Sequence, residues 1–200
     1  MPRRSADRFA TLGFRVKTGR AILVALAGPA ANPQILFRRE VQLCDPKVPE
    51  SRQPYHGGIM PFVPATPQAV AQGRKAAERT AVAVVTALSG ELHAAGYSLA
   101  GVALVVSSNP DPARIGSRHI RAHALEGILF REVLEAGAHA ASVPATLVLE
   151  REALALTSRA LRRPEARLQR ALAGFGAQAG RPWRAEEKSA ALGAWLALSM

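Results

Sequence analysis

From Leu12 to Ala27 polar and apolar positions first alternate and then give way to a continuous apolar run. Phe14 and Val16 alternate with Arg15 and Lys17, Thr18-Gly19 makes a turn, and Ala21-Ile22-Leu23-Val24-Ala25-Leu26 follows. This pattern predicts strand structure that ends at Gly28-Pro29. A second strand is expected from Gln34 to Leu43, and the short connection rich in Gly, Pro and Asn makes the two a hairpin. Residues 44–67 carry Pro46, Pro49, Pro54, Pro61, Pro64 and Pro67, which exclude a helix and most sheet interiors. A long irregular loop is expected there, with a short strand from Ile59 to Val63.

Thr66 followed by Pro67 caps a long helix, along which Val70, Ala77, Ala81, Val84, Val85, Leu88 and Leu92 keep the helical period until Gly96. Leu99 to Ser107 is almost uninterrupted in apolar character, as a central buried strand should be. It runs into the turn-rich Ser107-Ser108-Asn109-Pro110-Asp111-Pro112. Ser117 caps the next helix, which reaches about to Ala138. Pro144 to Glu150 predicts another buried strand, and helices over 151–162, 165–174 and 183–198 complete the chain. Strands alternating with helices in the second half imply parallel pairing through right-handed crossovers, while the opening hairpin implies an antiparallel edge. The expected fold class is therefore α/β, a mixed β-sheet with an opening antiparallel hairpin and flanking helices. Residues 1–10 are expected to be a flexible basic arm and residues 11–200 a single domain, since 200 residues suffice for one sizeable core.

Charge adds a partner class to this picture. The formal net charge is +11, almost all of it arginine, with lysine only at Lys17, Lys47, Lys75 and Lys188. Such a field attracts polyanions, with a merely solvated arginine surface as the alternative. Cys44 is the only cysteine, which excludes an internal disulfide or a cysteine zinc cluster and fits a cytoplasmic protein. Arg3 and Arg4 ahead of the apolar run from Ala21 to Ala27 imitate a secretory signal, but Asp7, Arg15, Lys17 and Arg20 carry charge up to the run itself. No apolar stretch approaches the ~18 residues of a membrane span, so no membrane partner is expected.

Three groups of residues carry candidate chemistry. At helical spacing His119, His123 and Glu126 share one face near the start of their helix, where they could bind a metal, supply acid and base, or receive a phosphate at the positive helix end. A packed polar face is the alternative. Ligands of open α/β sheets gather beyond the carboxyl ends of strands, which makes Asn109 and Arg121 contacts as well. In the proline-rich loop, Arg52, Tyr55 and His56 suit a phosphate or a stacked base, or else anchor the loop. Arg159, Arg163, Arg167 and Arg170 recur every three or four residues opposite Leu168, Leu172 and Phe175, giving a basic stripe suited to a nucleic-acid backbone. Cys44 is expected to pack at a strand end, and Trp195 to lie in the core.

The element order, the glycine-flanked first strand (Leu12-Gly13-Phe14, then Gly19) and a last helix opening Glu186-Glu187-Lys188 before an alanine-rich run through Trp195 resemble the ribonuclease-H-like superfamily. Within it the chain looks like the bacterial Holliday-junction resolvases, over most of residues 11–198. The resemblance implies a nuclease whose carboxylates on the first strand, the fourth strand and the start of the last helix hold two divalent ions that activate water and stabilise the leaving oxygen. Here the first position is Arg15 and the second is Ser107-Ser108; only Glu186 or Glu187 matches in kind. Arg15 and Lys17 on one strand face would repel a metal pair and favour a phosphate.

The leading expectation is thus a nucleic-acid-binding ribonuclease-H-like protein, a divergent or inactive nuclease. Its catalytic candidates are His119, His123, Glu126 and Glu187. Its ligand or nucleic-acid contacts are Arg15, Lys17, Arg52, Tyr55, His56, Asn109, Arg121, Arg163, Arg167 and Arg170. A second class is a small-molecule phosphoester hydrolase or sensor built on the histidine face, and a third is a noncatalytic interaction protein. A divalent cation is not favoured as cofactor, and the metal ligands and the oligomeric state are left open.

Overall fold

Residues 8–58 and 62–200 are described by a computed structural model. In chain order the elements are β1 (Phe9–Lys17), β2 (Arg20–Ala27), β3 (Gln34–Gln42), β4 (His56–Gly58), β5 (Val63–Pro64), α1 (Pro67–Ala94), β6 (Ser98–Val106), α2 (Arg118–Ala140), β7 (Ala145–Leu149), α3 (Glu150–Leu161), α4 (Glu165–Ala179) and α5 (Ala185–Leu198). Single 3-10 turns at Pro49–Arg52 and Pro112–Arg114 punctuate the loops.

The main sheet has five strands in the order β3-β2-β1-β6-β7. β1, β2 and β3 form an antiparallel meander, whereas β1, β6 and β7 run parallel. This is the mixed α/β sheet with an antiparallel edge that the sequence predicts. Successive side chains of a strand point to opposite faces, and the sheet accordingly separates two cores. Leu12, Phe14 and Val16 of β1 join Leu104 and Val106 of β6 under α1 and α2. Ala103 and Val105 face the other way, against α4 and α5. Strands covered on both faces must be apolar throughout, which is why Ala21 to Leu26 and Val102 to Val106 read as continuous runs.

Close packing explains the alanine content. α5 crosses the sheet so tightly that a Cβ on Gly13 of β1 would lie 1.9 Å from the carbonyl oxygen of Ala190, and one on Gly193 would meet Val105 Cγ2 of β6 at 2.7 Å. Thr11 Oγ1 donates to the carbonyl of Ala194 across the same contact, at 2.7 Å. Trp195 closes this core, only 1 % exposed, with its indole N–H donated to the carbonyl of Ala30.

Several boundaries differ from expectation. Phe9 and Ala10 belong to β1, because Arg8 and Gly28 extend the pairing of β1 with its neighbours, so these two residues are not part of a loose arm. Residues 1–7 lie outside the described residues. β7 is an edge strand with only Val148 buried, not the buried strand expected from its apolar run, since no further strand among the described residues follows it in the sheet. Of the short strand expected at Ile59 to Val63, residues 59–61 lie outside the described residues, and Val63 pairs with Gly58 in a small β4-β5 ribbon. α4 extends to Ala179, and α5 begins at Ala185 rather than at 183.

Candidate functional site

The proline-rich loop is shaped by one buried serine. Ser51 Oγ accepts from the backbone N–H of Asp45 at 2.8 Å and lies 2.6 Å from the carbonyl of Val48 and 3.1 Å from that of Asp45. The 3-10 turn so fixed lies directly on α1 at Gly73, where a Cβ would approach the carbonyl of Glu50 to 2.8 Å. Tyr55 then accepts a hydrogen bond from Arg74 of α1 at 2.9 Å, and Arg74 also pairs with Glu132 of α2. The chain is thereby delivered to the first turns of α2 with His56 pointing inward, its side chain 2 % exposed.

At α2, His56 Nδ1 lies 2.6 Å from Oε1 of Glu126, whose side chain is wholly buried. The second oxygen of Glu126 is 3.8 Å from Nδ1 of His123. On the far side of the rings, Nε2 of His119 and Nε2 of His123 are 3.0 Å apart. Phe62 stacks on His119 with ring centroids 4.9 Å apart and meets His56 edge-on at 5.2 Å. Burial pushes the Glu126 carboxyl above its ordinary range, opposed by the hydrogen bond and charge of His56 and by a backbone hydrogen bond at Tyr55. Burial, reinforced by the charges of His56 and His119, holds the His123 imidazole below its usual value and so favours its neutral form.

His123 also borders a cavity of about 190 Å³ at the carboxyl ends of β1 and β6. Lys17, Thr18, Ser107, Ser108, Asn109 and Arg131 complete its polar lining. Arg131 donates to Asn109 Oδ1 at 2.7 Å, which fixes the amide's orientation.

Across the sheet a second constellation occupies the corner where the resemblance implies a metal pair. Arg15, 5 % exposed, donates from Nε and Nη2 to the two oxygens of Glu150 at 2.8 and 2.7 Å, and from Nη1 to the carbonyl of Val16. Ser189 of α5 donates to the same carboxylate. Lys17 Nζ pairs with Glu186 at 2.6 Å. Burial opposes ionisation of Glu150, yet the hydrogen bonds from Arg15 and Ser189 and the charges of Arg15 and Lys17 prevail and hold it below the ordinary carboxylate range. The Lys17 hydrogen bond, against burial and together with the charges of Lys17, Arg20 and Arg15, does the same for Glu186. These residues do not fit two divalent ions: the first-strand position is a cation, the end of β6 offers serine, and the carboxylates present are bound to ammonium and guanidinium groups.

The structure therefore gathers His56, His119, His123 and Glu126 into one cluster and sets Lys17 and Asn109 beside it, while other expected site residues lie elsewhere. Glu187 does not reach the histidines; it is buried and accepts from the backbone N–H of Arg184 at 2.7 Å, a cap for its own helix. Arg121 turns its Nε and Nη2 to the carbonyl of Ile115, bracing the loop before α2. Arg52 is exposed at the Gly19 turn. Arg163, Arg167 and Arg170 belong to the α3–α4 layer, on the face of the sheet opposite α2. Ser189, Phe62 and Arg131 join these sites without standing out in the sequence as site residues, and Glu150 joins Arg15, a meeting that spacing alone does not decide. For Glu150 a signal exists, because it stands at the carboxyl end of a parallel strand, where such sheets place their ligands.

No family profile matches the sequence, and no curated protein matches it. Solved structures do. The chain is similar to RuvC of Thermus thermophilus in complex with a Holliday-junction substrate, with a TM-score of 0.53 and 14 % identity over 94 % of this chain and 91 % of that one. It is similar also to a second Thermus thermophilus RuvC structure, with a TM-score of 0.52 and 16 % identity over 94 % and 92 % of the two chains. Likeness at this level establishes the fold, which is ribonuclease-H-like. Among the described residues no helix is long and apolar enough to cross a membrane.

Proposed function

We propose that this protein binds nucleic acid through a ribonuclease-H-like scaffold and does not cleave it by the two-metal route. The observation that carries the reading is the Arg15–Glu150 pair. A guanidinium buried at the corner where a metal pair would sit supplies fixed positive charge, and two divalent ions beside it would face its repulsion. The net charge of +11 supports a polyanionic partner. So does the exposed arginine on α4, for which no ion pair is found at Arg167 or Arg170 among the described residues. A likeness to a protein solved with a Holliday junction makes branched duplex the first ligand to try.

The test is binding of linear and four-way duplexes over a salt series, with magnesium and manganese present in parallel cleavage reactions. Affinity should fall steeply with salt, since each neutralised phosphate releases counterions. Absence of binding at low salt, or affinity indifferent to salt, removes the reading. Metal-dependent cleavage abolished by Glu186→Gln would remove its second half.

A second reading is favoured by the cavity between His123 and Lys17. Its volume, about 190 Å³, is below the roughly 300–1,000 Å³ typical of drug-sized ligands and suits a single phosphoryl group. In this reading the histidine cluster serves a small phosphoester hydrolase or sensor. Hydrolysis or binding of a simple phosphate monoester that vanishes in Asn109→Ala and His123→Ala, with duplex binding untouched, would select it over the first.

A further inference from the structure

Three of the chain's five histidines meet in one place, although one comes from β4 and the others from α2. One nitrogen from each of His56, His119 and His123 can be chosen so that all three lie within 4.8 Å of one another. The geometry points to a metal centre, in which Nε2 of His56, His119 and His123 hold a single divalent transition-metal ion of the zinc class and Glu126 orients the rings from behind.

Four observations combine to support this. First, the nitrogens are free for it. His56 Nδ1 faces Glu126, and His56 Nε2 is buried without a hydrogen-bond partner among the described residues. Buried polar atoms of native proteins rarely go unpaired, and an unmatched one marks a site for an ion or water. Second, the spacing is right. A tetrahedral ion about 2.0–2.1 Å from each imidazole nitrogen separates neighbouring ligand nitrogens by about 3.3 Å, and the Nε2 atoms of His119 and His123 are 3.0 Å apart. Two neutral imidazoles meeting through the same type of nitrogen need opposite tautomers to bond to each other; an ion accepts both lone pairs without that condition.

Third, the outer layer matches what a metal-bound histidine requires. Such a ligand gives its other ring N–H to a carboxylate or carbonyl, which fixes the tautomer and makes the ring more basic. Glu126 stands in that position to His56, and its second oxygen, without a hydrogen-bond partner among the described residues, lies 3.8 Å from Nδ1 of His123. Fourth, the donor set selects the metal. Three neutral imidazoles suit zinc, copper, nickel or cobalt rather than magnesium or calcium, which prefer oxygen. Three protein ligands also leave one position of a tetrahedral ion to water or a substrate oxygen. Phe62, stacked on His119 and edge-on to His56, forms one wall of the cluster.

This centre is independent of the paired corner across the sheet and of nucleic-acid binding, so either reading can fail alone. The experiment is a zinc titration of the chelator-stripped full chain against a chromophoric competitor, with a parallel cobalt titration followed by visible absorption. One equivalent of zinc should bind, and cobalt should give the intense bands of a tetrahedral site. His123→Ala removes a half-exposed ligand with little packing loss, and it should abolish the cobalt bands and the stoichiometric zinc. Glu126→Gln should keep the site but weaken it on the order of 10- to 100-fold. His93→Ala and His139→Ala should bind zinc as the parent does. Circular dichroism confirms that each variant is folded. Failure of the parent to bind an equivalent of zinc or cobalt overturns the centre, as does undiminished binding in both His119→Ala and His123→Ala.

Discussion

The guanidinium of Arg15 and the carboxylate of Glu150, 135 residues apart, form a two-pronged ion pair beneath α5. The pair ties the carboxyl-terminal part of β1 to the first residue of α3 and leaves Glu150 a further bond, from Ser189. Removing the cation while keeping the anion leaves a partly buried carboxylate with one neutral partner. Arg15→Met should therefore destabilise the fold by about 2–3 kcal/mol, less than the roughly 3–5 of a fully enclosed pair, because a third of the Glu150 side chain still meets water. Urea unfolding measures it. The double variant Arg15→Met with Glu150→Gln should recover part of the loss, and a double variant as unstable as the sum of the singles would show that the two residues are not coupled.

Acid should weaken the fold through the same corner. Glu150 and Glu186 both titrate below the ordinary carboxylate value in the folded chain. A depressed carboxyl contributes stability that is fully present above its unfolded value of about 4.3 and is lost as pH falls through the lower folded value. Unfolding free energy should accordingly decline from about pH 5 downward in the parent. Glu150→Gln combined with Glu186→Gln should flatten that decline, while lowering stability at neutral pH. Equal slopes for parent and variant would mean that the two pairs contribute no acid dependence.

What is legible in the sequence is whatever depends on neighbours in the chain. Thr66 and Ser117 read as helix caps, and both accept the expected backbone N–H, from Ala69 and Ile120. The α2 face of His119, His123 and Glu126 follows from helical spacing alone. His56 does not, because its arrival depends on Ser51 fixing a turn and on Gly73 leaving room for it, contacts that no periodicity records. Arg15 reads as a cation in a corner that the resemblance would make acidic; the structure shows it buried and paired, but its partner lies 135 residues away and no local pattern announces it. β7 misleads for a similar reason: its apolar residues do not reveal that the sheet ends there.

Gly13 is where the fold tolerates no side chain. Its hypothetical Cβ lies 1.9 Å from one backbone atom of α5 and 2.5 Å from another, the N of Ala194. Backbone cannot swing aside as a flexible side chain can, so Gly13→Ala must displace α5 or bend β1. A loss at the upper end of the overpacking range, about 3 kcal/mol or more, is expected. Thermal unfolding tests this, with Gly127→Ala, where a Cβ meets nothing within 4 Å, as the comparison expected to be neutral or slightly stabilising. Similar melting of the two variants would contradict the packing described for α5.

If the proposed nucleic-acid reading holds, the basic stripe of α4 would supply backbone contact without recognition. Arg167 and Arg170 are exposed and stand one turn apart over the buried Leu168 and Leu172. Phosphate contacts set position and affinity without reading sequence or branching. Replacing both arginines by glutamine should leave stability within about 0.5 kcal/mol, as surface changes generally do. It should weaken linear and four-way duplexes by the same factor. The slope of log affinity against log salt should shrink by about 0.9 for each phosphate that is no longer neutralised. Changes confined to the cavity side, such as Asn109→Ala, should instead alter the ratio between the two duplexes if that cavity receives a particular phosphate of the junction. Fluorescence anisotropy at several salt concentrations yields both quantities, and an unchanged salt slope in the arginine double variant would place the nucleic acid elsewhere on the molecule.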